Sequence, residues 1–317
     1  MYLDIYKFGG TALSTKKNFE TLYNIIKSNN NKKIIVVSAM GRSGFPYSTD
    51  SLLSLINPNY ISNDEYHHLL ANGEIISSLV FNNYLKENGI NAKCVSYLKI
   101  GITINNNSLN LDNTYLQEYL KKYDCLVIPG FIGKDNENEV VTLGRGSSDL
   151  TAILCAEMFS IKNVYLFKDV DGIYPFIHYP LKKVKPYEYL TSKELRLLLK
   201  NGVNAVSIDA LDRAESNNTN IHVLPFNSYK KGTTIEVSDK INNKVIGLII
   251  ENKTFKIVCS NPEQIQKEMH QIFTNSHALT KKEEVTDYCF SFVLKSSQNL
   301  LLKRKIIDFY FHEYFLD

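Results

Sequence analysis

The sequence predicts an α/β protein in which a mostly parallel sheet is covered by helices on both faces, followed by a small α+β module. The first observation is that short apolar runs alternate with helical patterns over the first two thirds of the chain, an order typical of parallel sheets. The second is that glycine-bearing segments follow several of these runs, where ligands of such sheets bind. The third is a change in the order of elements near residue 240.

The elements of the first part follow from the spacing of apolar residues. Tyr2–Phe8 is predicted as a strand that is followed by a glycine pair, and Thr15–Ser28 is predicted as a helix capped in the Ser14/Thr15 region. Lys33–Ser38 is predicted as a buried strand, and Ser62–Glu87 is a helix with apolar residues at turn spacing. The remaining elements are the helices Asp149–Phe159 and Ser192–Lys200 and the strands Lys93–Val95, Cys125–Pro129, Asn163–Phe167 and Asn220–Val223.

The C-terminal part has a different order of elements. Its predicted strands are Ile246–Glu251, Phe255–Cys259 and Tyr288–Leu294, and its predicted helices are Pro262–Phe273 and Leu300–Tyr310. A chain of 317 residues has room for one large domain and a smaller one. We therefore predict a first domain over residues 1–235 and a second over residues 240–317.

Composition and charge exclude several classes of protein. Hydrophobic residues make up 44% of the chain and charged residues 22%, as in ordinary soluble globular proteins. A net charge of +3 without a basic run gives no support for nucleic-acid binding. The apolar runs are too short to span a membrane, and the first residues lack a signal-peptide pattern. The five cysteines have no paired spacing, which indicates reduced core residues in a cytoplasmic protein and not a metal site.

Glycine-bearing segments occur in a fixed order along the chain. They are Lys7-Phe8-Gly9-Gly10-Thr11, Ser38-Ala39-Met40-Gly41, Asn72-Gly73-Glu74, Gly130-Phe131-Ile132-Gly133, Thr142-Leu143-Gly144-Arg145-Gly146-Ser147-Ser148-Asp149 and Asp169-Val170-Asp171-Gly172-Ile173-Tyr174. Each alone is typical of a loop. Together they predict a site in which backbone amides and one lysine hold phosphate, while carboxylates and an arginine hold a small zwitterion.

Two of these segments carry side chains suited to phosphoryl transfer. Lys7 stands beside Gly9 and Gly10, where a lysine neutralises charge on a transferring phosphoryl group. Arg145 can hold a carboxylate through two parallel hydrogen bonds, and Asp149 can orient Lys7 or a substrate ammonium. The alternatives are a plain strand-to-helix turn at Lys7 and a local ion pair between Arg145 and Asp149.

The ordered segments resemble the amino-acid kinase superfamily and, within it, the aspartokinases. Those proteins carry K-F-G-G-T-S near the N-terminus, V-V-S-A-M-G after the second strand, a G-E pair, G-F-x-G, T-x-G-R-G-G-S-D and T-D-V-D-G-V-Y. In this sequence the match runs from about Tyr2 to about Asn204, with agreement in type, order and spacing. The C-terminal order resembles a single ACT regulatory module, where aspartokinases usually carry two in tandem.

The resemblance implies an aspartate kinase, which uses ATP to phosphorylate the side-chain carboxylate of L-aspartate, with Mg²⁺ carried mainly by the phosphates and no metal ligand set in the protein. It also implies a role in amino-acid biosynthesis and a homodimer or larger homo-oligomer formed through the C-terminal module. Lys7 and Asp149 match the catalytic residues. The residues implied for the acceptor are Ser38, Thr49, Glu74, Arg145 and Ser148, and those implied for the nucleotide are Gly9, Gly10, Asp169, Asp171 and Tyr174. Lys168 is also assigned to the nucleotide side, although it departs from the family pattern.

The sequence departs from the aspartokinase pattern on the nucleotide side. Lys168 stands where the family has threonine, Tyr179 where it has an arginine, and Asn204 where it has a lysine. Two cationic contacts to ATP are therefore missing, and Lys168 can replace part of them. Because charge-assisted hydrogen bonds contribute about 1.5–3 kcal/mol each, their loss predicts weak ATP binding unless it is compensated.

Three functions fit this pattern. The first is an aspartate kinase, and the second is a related kinase for another amino acid or acid in a specialised pathway. Both predict nucleotide turnover that depends on an added acid. The third is a catalytically weak paralogue that acts as a regulatory or structural subunit, which predicts none. The C-terminal module lacks a glycine-bearing effector loop, so a structural, dimerising module and a working sensor both remain open.

Overall fold

The computed structural model describes residues 2–105, 108–144, 146–177, 184–228, 230–251, 254–273, 279–294, 306–311 and 314. The chain forms two compact units. The first unit comprises Met1–Asp171 and Val206–Lys231, and the second comprises Gly172–Ala205 and Gly232–Asp317. This division places residues 172–205 with the C-terminal sheet, whereas the predicted domain boundary between residues 235 and 240 stays a prediction.

Strands and helices alternate along the first part of the chain, as the sequence predicts. The strands are β1 (Leu3–Phe8), β2 (Lys32–Val37), β3 (Ala92–Cys94), β4 (Ile102–Asn105), β5 (Ser108–Leu111), β6 (Cys125–Pro129), β7 (Ile132–Lys134), β8 (Val140–Thr142), β9 (Asn163–Lys168), β10 (Phe176–Ile177), β11 (Tyr189–Thr191), β12 (Asn220–Pro225), β13 (Thr233–Glu236), β14 (Val245–Glu251), β15 (Thr254–Cys259), β16 (Leu279–Thr286) and β17 (Cys289–Leu294). The helices are α1 (Lys16–Lys27), α2 (Thr49–Leu53), α3 (Asn63–Glu87), α4 (Thr114–Lys122), α5 (Ser148–Met158), α6 (Ser192–Lys200), α7 (Ile208–Ser216) and α8 (Pro262–Phe273).

The first unit is built on a parallel sheet with the strand order β12-β9-β1-β2-β6-β3. Strands β2 and β6 are buried along almost their whole length, as expected for a parallel sheet between two helical layers. On one face α1 and α3 pack over a core that contains Phe8, Phe19 and Phe81, and on the other α5 contacts β1, β2 and β9. Because neighbouring residues of a strand face opposite sides, Phe8 points into the first layer and Lys7 points toward α5.

A smaller sheet in the first unit was not predicted. Its order is β5-β4-β7-β8, with antiparallel pairing at β4–β5 and β7–β8 and parallel pairing at β4–β7. These strands have only three or four residues each, which is too short for an apolar alternation to stand out in the sequence. Strand β8 leads into the loop that precedes α5.

The second unit contains a sheet with the order β10-β14-β15-β17-β16. Strands β14, β15, β17 and β16 pair antiparallel in turn, and the two-residue strand β10 pairs parallel with β14. Helix α8 packs on this sheet over a core that includes Phe255 and Phe290. Residues 306–311 are helical, while the first residues of the predicted helix Leu300–Tyr310 lie outside the described part of the chain. The predicted α/β fold class with a small α+β module is confirmed.

Capping side chains set where the helices begin. Ser62 and Glu65 form a reciprocal pair, in which each side chain accepts a hydrogen bond from the backbone N–H of the other residue. The Thr15 hydroxyl accepts a hydrogen bond from the Asn18 N–H. Both helices therefore begin one residue later than predicted, because the predicted first residue is the cap and lies outside the helical turn.

Candidate active site

An acid held between two lysines forms the buried centre of the site. Lys7 lies on β1, Lys168 ends the neighbouring strand β9, and Asp149 lies in the first turn of α5. The Lys7 Nζ is 2.9 Å from Asp149 Oδ1, and the Lys168 Nζ donates to Asp149 Oδ2 at 2.8 Å. Lys7 and Asp149 are only 8% and 3% exposed. The structure thus brings the predicted pair Lys7 and Asp149 into contact and adds Lys168 to it.

The charges of this cluster favour a further anion. Burial alone would raise the pKa of Asp149, but attraction to Lys168 and Lys7 lowers that pKa to about 2. Burial lowers the pKa of Lys7, against the attraction of Asp149. Two basic side chains therefore share one carboxylate in a place from which water is largely excluded. Negative charge supplied by a ligand would be stabilised there more strongly than at an exposed surface.

The turn after β1 packs closely against the loop after β2 and is hydrogen-bonded to it. A Cβ on Gly10 would lie 2.4 Å from the Gly41 carbonyl oxygen and 2.5 Å from that of Ala39, which is closer than nonbonded atoms approach. The Gly41 N–H also donates to the Gly10 carbonyl at 2.9 Å. Only glycine fits at position 10, and the backbone that precedes the 3₁₀ turn Gly10–Leu13 is held at a fixed place beside the lysines.

Arg42 belongs to this site but was missed by the sequence analysis. Its Nη2 donates to Asp169 Oδ2 at 2.6 Å and its Nε donates to Thr11 Oγ1 at 2.9 Å. These three residues, together with Lys7 and Lys168, line a cavity of about 210 Å³. The available signal was its position directly after a glycine motif at the carboxyl end of a buried strand, where ligands of parallel sheets bind.

Glu74, in the middle of α3, is a buried acid. The residue is 3% exposed, and its Oε1 accepts a hydrogen bond from the Ala39 N–H at 3.1 Å. Its Oε2 has no hydrogen-bond partner in the part of the chain that the structure describes. Burial raises the pKa of Glu74 to about 7, although the bond from Ala39 and the charge of Lys7 act in the opposite direction. A cationic ligand would stabilise the ionised form of this acid.

The other residues predicted for the acceptor are spread over the first unit. Ser38 follows β2, and its N–H donates to the Phe8 carbonyl at 3.2 Å. Thr49 is the first residue of α2, and Ser148 is the buried first residue of α5. Arg145 lies outside the described residues, so its predicted contact with a substrate carboxylate stays a prediction.

The residues predicted for the nucleotide divide between the two units. Asp169 follows β9 and pairs with Arg42, and Asp171 forms an ion pair with Lys230. Both carboxylates belong to the first unit, whereas Tyr174 belongs to the second. Tyr174 is partly buried against the apolar core of the second unit, and its predicted contact with the nucleotide stays a prediction.

The described residues contain neither a cluster suited to a metal ion nor a helix suited to cross a membrane. Within them, no three His, Cys, Asp or Glu side chains come together in a way that could hold a metal ion. The same residues include no helix that is both long enough and apolar enough to cross a membrane. All five cysteines are unpaired, and four of them are buried.

Known kinases are similar to this chain in sequence. The sequence profile of the amino acid kinase family matches residues 4–225. Aspartokinase 1 of Bacillus subtilis is 32% identical over 262 residues, which cover 79% of this chain and 65% of that protein. The aspartokinase of Rickettsia felis is 33% identical over 271 residues, which cover 80% of this chain and 66% of that protein. The chain thus spans just under two thirds of the length of these curated relatives.

Solved structures share the fold. E. coli aspartokinase III in complex with aspartate and ADP has a TM-score of 0.68 at 19% identity, with 98% of this chain and 83% of that chain covered. Aspartate kinase from Synechocystis has a TM-score of 0.67 at 22% identity, with 95% and 54% covered. UMP kinase from Bacillus anthracis has a TM-score of 0.54 at 18% identity, with 75% and 97% covered. At such identities the likeness shows the fold alone, and it agrees with the sheet and the additional module described above.

Proposed function

The chain belongs to the amino acid kinase family, and we propose that it transfers the terminal phosphoryl group of ATP to the side-chain carboxylate of L-aspartate, giving 4-phospho-L-aspartate. The curated relatives named above are aspartokinases, and the E. coli protein of similar fold holds aspartate and ADP. The observation that carries the proposal is the buried cluster of Lys7, Asp149 and Lys168 at one end of the parallel sheet.

The proposed reaction needs positioning and charge neutralisation more than proton transfer. A carboxylate acceptor is already ionised at neutral pH and needs no general base. One of its oxygens forms a bond to the terminal phosphorus while the bond from that phosphorus to the bridging oxygen of ADP breaks. Lys7 and Lys168 neutralise charge on the transferring group, and Asp149 holds both ammonium groups in place.

On the acceptor side, Glu74 is proposed to bind the substrate ammonium and Arg145 the α-carboxylate. The unpaired Oε2 of Glu74 supports the first assignment, because an ammonium donor would satisfy a buried acceptor. Ser38, Thr49 and Ser148 are proposed to line the same side with their hydroxyl groups. Pairing both charged ends of the acceptor in this way would fix the side-chain carboxylate relative to the phosphate.

On the nucleotide side, the N–H groups of Gly9 and Gly10 are proposed to contact phosphate oxygens, with Asp169, Asp171 and Tyr174 toward the rest of the nucleotide. The two lysines around a single carboxylate fit a polyphosphate. Mg²⁺ is proposed to arrive with ATP, bound mainly to phosphate oxygens, where it supplies further charge neutralisation.

Further proposals concern the cellular context and rest on the resemblance to aspartokinases. We propose a cytoplasmic enzyme of amino-acid biosynthesis with a catalytic domain over residues 1–235 and an ACT-like domain over residues 240–317. The second of these is proposed to join copies of the chain into a homodimer or larger homo-oligomer. Size-exclusion chromatography coupled to light scattering tests this last proposal directly.

Hydroxamate trapping of the acyl phosphate tests the proposed reaction. The protein is incubated with MgATP and hydroxylamine, with L-aspartate, with L-glutamate and without added acid. We expect hydroxamate only with L-aspartate and ATP together. Product with another acid but not with L-aspartate would indicate a related kinase with a different acceptor. No product with any acid would favour a non-catalytic paralogue.

A further inference from the structure

The backbone at Arg42 has a fixed position at the edge of the cavity that Lys7 and Lys168 line. Gly41, the preceding residue, has a φ of +80°, and its N–H donates a hydrogen bond to the Gly10 carbonyl. A Cβ on Gly41 would lie 2.2 Å from the Phe45 ring, so this conformation and this packing both require glycine. Arg42 therefore starts from a fixed backbone, and its long side chain is the part that can move.

Arg42 and the two residues that its guanidinium contacts follow three adjacent strands. The residue itself follows β2, Thr11 follows β1 and Asp169 follows β9, and these strands are adjacent in the order β2-β1-β9. The loop of Arg42 also contacts Glu74 through the Ala39 N–H, and Glu74 belongs to the proposed acceptor side. Asp169 belongs to the proposed nucleotide side. The guanidinium of Arg42 thus lines the same cavity as Lys7 and Lys168, the two lysines proposed to neutralise the transferring phosphoryl group.

We propose that Arg42 binds the terminal phosphate of the nucleotide, and that Asp169 holds the guanidinium until this phosphate arrives. The inference rests on the proposed function. The side chain of Arg42 is 72% exposed, and an ion pair as exposed as this is held only weakly. A phosphate offers the same planar donors two oxygens and more charge, so exchange of partners is favoured. Arg42 then offsets part of the loss of the two cationic ATP contacts that the aspartokinase pattern carries and this sequence lacks.

Calorimetric titration of the full chain with β,γ-imido-ATP and with ADP, both with Mg²⁺, tests this proposal. Arg42→Gln should weaken binding of the ATP analogue by about 10- to 100-fold and that of ADP by less than about threefold. Arg42→Lys keeps the charge without the planar fork and should fall between the wild type and Arg42→Gln. Arg213→Gln is the matched control, because Arg213 pairs with Glu157 between α7 and α5 and should leave both affinities unchanged.

Each other outcome overturns the inference in a distinguishable way. Equal losses for ADP and the analogue would place Arg42 at the inner phosphates. Unchanged nucleotide binding with a raised KM for the acid would place Arg42 at the acceptor. No change in either would show that Arg42 only forms an exposed ion pair with Asp169. If the wild type binds neither nucleotide, the proposed function itself fails, and this inference fails with it. Melting curves of each variant check that the fold is retained.

Discussion

Replacing the buried Glu74 by glutamine should stabilise the free protein at alkaline pH. Burial raises the pKa of Glu74 from 4.5 to about 7 on folding. Between these values the folded protein keeps a proton that the unfolded chain has released, so the free energy of unfolding falls as pH rises through this window. From pH 5 to pH 8 the loss is roughly 2–3 kcal/mol. Glutamine has no charge to bury in either state, so Glu74→Gln should lack this loss.

Urea unfolding of both proteins at pH 5 and pH 8 measures the effect. The difference in free energy of unfolding between Glu74→Gln and the wild type should shift in favour of the variant by roughly 2–3 kcal/mol from pH 5 to pH 8. Glu194→Gln is a control at a second buried acid, whose carboxylate accepts bonds from the N–H groups of Thr191, Asn242 and Asn243. It should lower the free energy of unfolding at both pH values, because glutamine cannot accept all of these bonds. If Glu74→Gln differed from the wild type equally at pH 5 and pH 8, the reasoning would be refuted.

The same variant also separates stability from function. If Glu74 binds the substrate ammonium, the neutral amide should weaken acceptor binding although it stabilises the fold. Functional residues that lower the stability of the free protein are a common form of the trade-off between stability and activity. Retained acceptor affinity in Glu74→Gln would remove Glu74 from the proposed acceptor side.

Three further predictions concern turnover, stability and nucleotide binding. Lys7→Ala should abolish acid-dependent turnover, whereas Lys32→Ala, at the opposite end of the adjacent strand, should not; retained turnover in the first variant would exclude Lys7 from the site. Gly10→Ala should lower the free energy of unfolding by about 1–3 kcal/mol, because its Cβ would meet two carbonyl oxygens, and a melting temperature equal to that of the wild type would contradict the close packing of the two loops. Asn204→Lys should tighten binding of a non-hydrolysable ATP analogue by about one to two decades in Kd; tight binding by the wild type would show that other residues, Lys168 first, already fill that role.

The central strands of the first unit could be predicted from the sequence because they are buried on both faces. Ile34–Val37, for example, is an unbroken apolar run. Such a run indicates a buried strand without knowledge of the strands that pair with it. Strand β16 has the sequence LTKKEEVT and lies at the edge of its sheet, so it carries no comparable apolar signal. Strand β10 has two residues and exists through its pairing with β14, which no local pattern encodes.

The candidate site divides in the same way. Lys7 and Asp149 could be predicted because each belongs to a glycine motif, and parallel strands bring such motifs to one end of the sheet. Lys168 was predicted on the nucleotide side, as a partial replacement for missing cations, but its hydrogen bond to Asp149 became evident only from the structure. Arg42 was not predicted, because its relevance depends on contact with Asp169, which is distant in the sequence.

The two units are interleaved in the sequence, and this constrains how the chain folds during synthesis. The first unit is complete only at Lys231, while the second already begins at Gly172. Strand β10 leaves the ribosome roughly seventy residues before its partner β14, which at cellular elongation rates is a delay of about 4–14 s. During this time Phe176 and Ile177 lack the strand with which they pair in the folded protein. Slower translation of the intervening codons would lengthen that interval.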